Sequence, residues 1–416
     1  MSTQSPLGSE LKTLYAAESS RLQQEFSATN DGLSYLCGRS ALVESIVLRL
    51  VEQLLPSQET LIPGGALLAV GDFGRQMLFP NSEIDLLFVF EAQDAADRCN
   101  QAIPRFTQYL GEVGLETAIS AKLVSDLLPF DSENAEAILS LLDCRFLAGD
   151  PDLFSNFRGQ MIPEVMVREA QVLVERLAEI TRNRHRKFAN TVFHLVPNVK
   201  AGPGGYLDYT MARWLAVMSA MEKQHGWPDS DTCFSPAVQI TMDSALAFFA
   251  SLRCFLHFRN KQDDNLLTWE AQDDAAAQKI GARDAEIHGA IDWMRIYFAH
   301  ARAVDHISGQ LLEEMPAAQS LFYRQLETWR TGFSDEDFSV VDGLIFFQKP
   351  ENLSDPGLFF RTFRLIAQRG FKLSPAAEHQ LELARPQLAG RLPGGGATRP
   401  WSGPGTRRDH VLSWPT

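Results

Sequence analysis

Between Leu67 and Phe90 the chain reads LLAVGDFGRQMLFPNSEIDLLFVF, and this stretch restricts the fold more than any other. Leu67-Leu68-Ala69-Val70 runs apolar into Gly71, the pattern of a buried strand entering a tight turn. A short helix is expected from about Phe73, ended by Pro80-Asn81-Ser82, so that the stretch reads as a βαβ-like unit. Ile84–Phe90 is then an apolar run of strand length. Glu83 and Asp85 stand at its mouth, one residue apart, and side chains at i and i+2 of a strand share a face. Two carboxylates on one face at the start of a buried strand are costly unless a cation neutralises them. The glycine turn and the helix after it offer backbone N–H groups to a phosphate. Paired acids beside a phosphate cradle are the parts of a metal-dependent phosphoryl or nucleotidyl transfer site.

The rest of the composition narrows the partners. A net charge of −14 argues against a broad nucleic-acid-binding surface, because phosphate contacts need a basic face. The five cysteines are dispersed and form no CxxC pair, which fits free thiols in a reducing cytosol and argues against a structural zinc site. The N-terminus shows no basic-then-apolar signal segment, and no apolar run approaches the roughly 18 residues of a membrane span. A cytoplasmic protein without membrane contact is therefore expected.

At 416 residues the chain has room for several cores. Residues 1–60 carry helical spacing over Ser9–Phe26 and Ser40–Leu55. Residues 61–150 read as a small mixed sheet with two or three helices, including one over Ala95–Gly111 interrupted by Pro104 and a strand within Gly114–Val124. Residues 151–330 are almost entirely helical, with a long amphipathic segment over Val165–Phe188 and helices over Tyr209–His225, Ser235–Arg259 and Ala282–Met315. A Gly/Pro-rich loop at 197–205 interrupts them. Residues 331–390 are expected to form a smaller helical unit, with Asp355-Pro356 at a helix start and Gly370 at its end, and 391–416 a disordered Gly/Pro/Arg-rich tail. The fold class is α+β.

Several spaced motifs carry a family resemblance. Gly71, Phe73-Gly74-Arg75, Leu78, Pro80, Ser82 and Ile84-Asp85-Leu86 resemble the signature of DNA-polymerase-beta-type nucleotidyltransferases, and more closely the bacterial PII-protein uridylyltransferases. Arg145 with Leu147-Ala148-Gly149-Asp150, the loop Val199-Lys200 to Gly205 with Asp208, the pair Arg253 and Leu256-His257 followed by Asp264, Leu266 and Gln272, and Phe359–Pro375 are similar to later segments of that family in the same order. The resemblance covers roughly residues 30–390. It implies a small mixed-sheet nucleotidyltransferase domain followed by a mostly α-helical domain, Mg²⁺ as cofactor, a nucleoside triphosphate (UTP favoured) as donor and a PII-type signalling protein as acceptor. Three departures stand out: Asp72 where a small residue is usual, Glu83 where the family has Asp, and Tyr206-Leu207 where it tends to carry Leu-Arg. The chain contains no His-Asp dipeptide, so a form without the family's HD hydrolase and ACT domains, and without uridylyl removal, is expected.

On this reading Asp85 and Glu83 are the metal ligands rather than a solvated strand start, and Glu116, the lone acid on a predicted strand of the same sheet, is either the third catalytic carboxylate or a surface residue. Gly71 allows close backbone approach, Arg75 reaches for a phosphate or pairs with a nearby acid, and Ser82 bonds phosphate or simply closes the turn. Lys200 and its glycine loop either contact the nucleotide or protein substrate or link two helices tightly. Asp208 is expected to N-cap the following helix. Two rival readings remain: a catalytically degenerate regulatory protein that keeps the fold, favoured by Asp72 and Glu83, and a nucleotidyltransferase acting on a small molecule or RNA.

Overall fold

Two long helices, Pro6–Thr29 and Gly32–Leu54, open the chain as an antiparallel hairpin in the computed structural model. The structure describes residues 6–55, 62–127, 134–228, 233–282, 285–314, 337–341, 344–348, 353, 355–374, 377–378 and 380–381. The proposed tail at 391–416 lies outside them. Asp31 caps the second helix by accepting the Ser34 N–H at 3.1 Å, one of the donors a helix start leaves free. The same helix buries Val43, Ile46, Val47 and Leu50 at three-to-four spacing against the sheet.

The chain divides into two units, Met1–Thr328 and Trp329–Thr416. The first holds a four-stranded sheet of β1 (Gly65–Ala69), β2 (Ile84–Phe90), β3 (Thr117–Leu123) and β4 (Arg145–Gly149), in the order β3-β2-β1-β4. β2 runs parallel to β3, with Asp85 opposite Ala118, and antiparallel to β1, with Ala69 opposite Leu86. Alternate residues of β2 enter different cores. Ile84, Leu86, Phe88 and Phe90 pack under the first helices. Leu87 and Val89 join Leu68, Phe157, Leu173, Met211 and Leu215 on the other face. A strand covered on both faces must be apolar throughout, which is why Asp85 stands out in it.

Several expectations change. The β1–β2 connection is not a βαβ crossover, because its helix spans only Gly71–Gly74 and one turn cannot carry the chain back along the sheet. The Ala95–Gly111 helix is two helices, Gln93–Cys99 and Ala102–Val113; Pro104 sits in the first turn of the second, where no intrahelical N–H is needed. Arg145–Gly149 is itself the fourth strand, too short and too little alternating to read from sequence. The segment Val165–Phe188 breaks at Glu169 into Ile162–Arg168 and Ala170–Arg186. A further helix, Trp269–Ala277, capped by Thr268, precedes Ala290–Glu314.

In the second unit the expected all-helical reading of 331–390 is replaced by a mixed one. A three-stranded sheet, β5 (Phe338–Val341), β6 (Leu344–Phe347) and β7 (Lys372–Leu373), accompanies the helix Pro356–Arg369. Its β-branched and aromatic residues favour pleated backbone. Asp355 caps that helix and Gly370 ends it in the left-handed region, as the sequence predicts. No described helix is long and apolar enough to cross a membrane.

The 197–205 loop is tied into the first unit by backbone. Val199 N–H donates to Asn265 O at 2.9 Å and Leu267 N–H to Pro197 O at 2.9 Å. Gly204 adopts φ +71°, and a Cβ there would overlap the Ala301 carbonyl. Gly204→Ala is expected to lower stability by about 2–4 kcal/mol, combining strain and overpacking. Urea unfolding of the variant checks this; an unchanged midpoint would mean that the loop is not packed as described.

Candidate active site

Asp85 lies where β2 enters the apolar core. Val70 N–H donates to the Asp85 carbonyl at 3.2 Å and locks the end of β1 to the start of β2. Gly71 has φ +58°, and a Cβ on it would stand 3.0 Å from Asp85 Oδ2. Glycine is therefore required twice here, for the left-handed turn and for the approach of the carboxylate. Burial first, then the charges of Glu83 and Asp72, push the Asp85 carboxyl up from its usual 3.8 to about 6, and Lys200 partly offsets them. Glu83 and Glu116 are both exposed. Ile84 N–H bonds the Glu116 carbonyl at 2.9 Å, and Ile84 pairs with Thr117. One step back along that parallel register, Glu116 falls beside Glu83 on the face that carries Asp85. Glu83 and Asp72 are the acids that act on Asp85, and among the described residues Glu116 does not join Asp85 and Glu83 in a group of ligand atoms close enough to hold a metal ion.

The fourth acid, Asp72, is compensated. Arg75 bonds Asp72 and Asp143 and also donates to the Tyr206 hydroxyl at 3.1 Å, while that hydroxyl donates to Asp72 Oδ1 at 3.0 Å. Burial works against the Arg75 charge, but Asp143, Tyr206 and Asp72 together hold it firmly protonated. Arg75, offered by the sequence either to phosphate or to a nearby acid, is therefore engaged by carboxylates. Asp143 is buried and also accepts from Arg213 and from Trp214 Nε1 at 2.8 Å. Ser82 is half-buried, and its N–H closes a turn onto Phe79 O at 3.2 Å.

Lys200 faces the acids from the helical side. Its ammonium is 3.2 Å from Asp263 and near enough to Asp85 to favour that carboxylate's charged form. A hydrogen bond with His257 and another from Asn265 hold Asp263 well below the usual carboxylate range. Asp263 is 2.9 Å from His257 Nε2, whose other ring nitrogen meets the Pro80 carbonyl. Arg253 is fully buried between the rings of Phe79, at 3.7 Å, and Tyr206, at 4.7 Å. The loop before β2 is thereby clamped to the helical region. Sequence reasoning singled out Arg253 and His257 through the resemblance but assigned them no partners, and it overlooked Asp143 and Asp263. Each of these groups acquires its partners from remote parts of the chain or from a loop geometry that spacing does not reveal.

Asp208 differs from its simple N-cap expectation. The helix starts at Tyr206 with Gly205 as cap, and the Asp208 carboxylate reaches back to the Gly204 N–H at 2.6 Å. His185 and Arg184 also bond it. Among the described residues, His185, Asp208 and Asp305 bring ligand atoms within 4.8 Å of one another, but Arg184 already supplies the neutralising charge.

A small mixed sheet with a half-buried carboxylate at the start of a central strand, followed by a helical region, matches the layout the resemblance implies. Comparison with known proteins makes this specific. The family model described as GlnD PII-uridylyltransferase matches residues 172–312. The chain is 29% identical over 358 residues to a bifunctional uridylyltransferase/uridylyl-removing enzyme of Burkholderia vietnamiensis, covering 84% of this chain and 40% of that one. It is 25% identical over 379 residues to the enzyme of that name from Photobacterium profundum, covering 88% and 41%. The chain is PII-uridylyltransferase-like, and it spans about two-fifths of the length of these curated relatives.

The state of Asp85 has a pH signature. Because its folded pKa is raised, the folded chain binds more protons than the unfolded chain between about pH 4 and 6, and stability falls as pH rises through that window. Asp85→Asn removes the burdened charge. The variant is expected to melt higher than the wild type at pH 7.5 without divalent cations, with the gain shrinking as pH falls through 6 and vanishing near 4. Calorimetry across pH checks it; a pH-independent difference would refute the burial account.

Proposed function

We propose that this chain is a Mg²⁺-dependent nucleotidyltransferase that moves a nucleoside monophosphate, UMP before others, from its triphosphate to a hydroxyl of a PII-type protein acceptor. The observation that carries the proposal is Asp85, half-buried at the start of β2 against the Gly71 turn, with Glu83 acting on it and no direct cationic partner among the described residues. A hard oxygen donor set with excess negative charge fits Mg²⁺. Asp85 and Glu83 hold the ion, which supplies neutralisation and alignment of the phosphates. The burial that raises proton affinity at Asp85 equally raises the advantage of a bound cation.

The chain's own groups complete the scheme. Lys200, on the opposite wall, offers a positive charge to the phosphates. Glu116 is the third carboxylate and the acceptor for the hydroxyl proton. The attacking oxygen bonds the α-phosphorus, and pyrophosphate leaves with the α–β bridging oxygen. UTP and a PII-type acceptor are preferred because the relatives are named uridylyltransferases and the matching family model is of the PII-directed type.

One observation favours a second reading, a binding protein that keeps the fold without transfer. Asp72 places a carboxylate in the first turn after Gly71, and it occupies Arg75 and Tyr206. A single assay separates the two: purified chain, Mg²⁺ or Mn²⁺, each labelled triphosphate and a PII-type acceptor. Label is expected on the acceptor, with Asp85→Ala lowering the rate by about a hundredfold or more. Failure to detect nucleotide binding with either metal would end the enzyme reading. Binding gained only in Asp72→Gly/Glu83→Asp would establish the second.

A further inference from the structure

A cavity of about 570 Å³ opens beyond Arg75, between the turn after Gly74, the start of β4 and the helix Tyr206–Gln224. Glu83, Asp85 and Lys200 do not line it, so it is separate from the acids assigned to transfer. Its wall carries Arg75, Arg145, Arg158 and Arg213 against the one carboxylate of Asp143. The chain as a whole has 38 Lys and Arg against 52 Asp and Glu, so four arginines on one concave surface run against its overall balance.

The charges here are unequally satisfied. Arg145 has Glu44 at 2.8 Å, and Arg75 and Arg213 share Asp143. Arg158 pairs with no carboxylate of the described residues. Its guanidinium lies 4.4 Å from the ring centroid of Trp227, and its Nε is buried without a hydrogen-bond partner. The Nε of Arg75, whose side chain is only 8% exposed, is likewise buried and unbonded. An anion in the cavity would meet Arg213, whose side chain stays 30% exposed, and the outer nitrogens of Arg158 rather than the enclosed Nε atoms. Arginine forks match phosphate and carboxylate oxygens two at a time. Tyr209 and Trp227 add aromatic wall on which a flat ring can pack. The volume suits a small ligand, in the range of about 300–1,000 Å³ usual for such sites.

We infer that this cavity binds a small ligand with an anionic head group and a flat ring, of mononucleotide size, through Arg158 and Arg213 and without a metal ion. The site does not depend on nucleotidyl transfer. Loss of transfer activity leaves it standing, and its own failure leaves the transfer reading intact.

Isothermal titration calorimetry on the full chain in EDTA tests it, with UMP and AMP as probes, inorganic phosphate as the head group without a ring and uridine as the ring without a charge. At least one nucleotide is expected to bind below millimolar, and phosphate and uridine at least about tenfold more weakly. Arg158→Gln and Arg213→Gln are each expected to weaken the nucleotide by about tenfold or more, with melting temperatures showing that both still fold, while Arg295→Gln, an exposed arginine outside the cavity, binds unchanged. Absence of nucleotide binding up to about 10 mM in EDTA, beyond the weak end of specific affinity, would overturn the inference. So would affinity untouched in both cavity arginine variants, or affinity abolished in Arg295→Gln.

Discussion

Arg75 is the group on which the arrangement of the first unit turns. Its guanidinium is almost wholly buried and is held between Asp72 of its own turn, Asp143 ahead of β4 and the Tyr206 hydroxyl at the start of a long helix. A buried charge persists only when its partners are in place, and removal of one leaves the others uncompensated. This constraint joins the β1 turn, the approach to β4 and the helical region at one point. The contact between Gly71 and Asp85 relies on it, because the turn carrying Gly71 is the turn Arg75 fastens. Asp143 in turn needs Arg213 and Trp214, so the network extends up the helix Tyr206–Gln224.

Around that point the charge is sorted by sign. Towards the mouth of β2 lie Asp85 and Glu83, with negative charge in excess and Lys200 the cation biasing Asp85 from the helical side. Towards the cavity lie Arg158 and Arg213, with positive charge in excess. Asp72 marks the divide, since it adds to the repulsion felt by Asp85 while being satisfied itself by Arg75 and Tyr206. Asp72 and Tyr206 are therefore in direct contact, although 134 residues separate them.

What the sequence disclosed follows from the range of the forces involved. The apolar run of β2, the glycine at a left-handed turn and the acids at i and i+2 are local, and the structure places Gly71, Glu83 and Asp85 together accordingly. Glu116 precedes β3, and only its carbonyl, which accepts from the Ile84 N–H, ties it to the start of β2. The partners of Arg75 were not legible, because Asp143 and Tyr206 come from 68 and 131 residues away and ion pairs leave no periodic trace. β4 escaped notice because five residues are too few to show alternation. The strands of the C-terminal unit escaped because the helical signal of Pro356–Arg369 beside them is stronger. The direction of β2 against β1 was misread because apolar runs specify strands but not their pairing; the single helical turn between them decides it.

A divalent cation proposed at Asp85 and Glu83 would balance the half-buried carboxylate at the mouth of β2. The most direct measurement is an electron paramagnetic resonance titration with Mn²⁺, in the presence of UTP, on the wild type and on Asp85→Asn. The account predicts saturable Mn²⁺ binding at one or two sites in the wild type and loss of at least one of them in the variant. Identical titrations for the two proteins would contradict it.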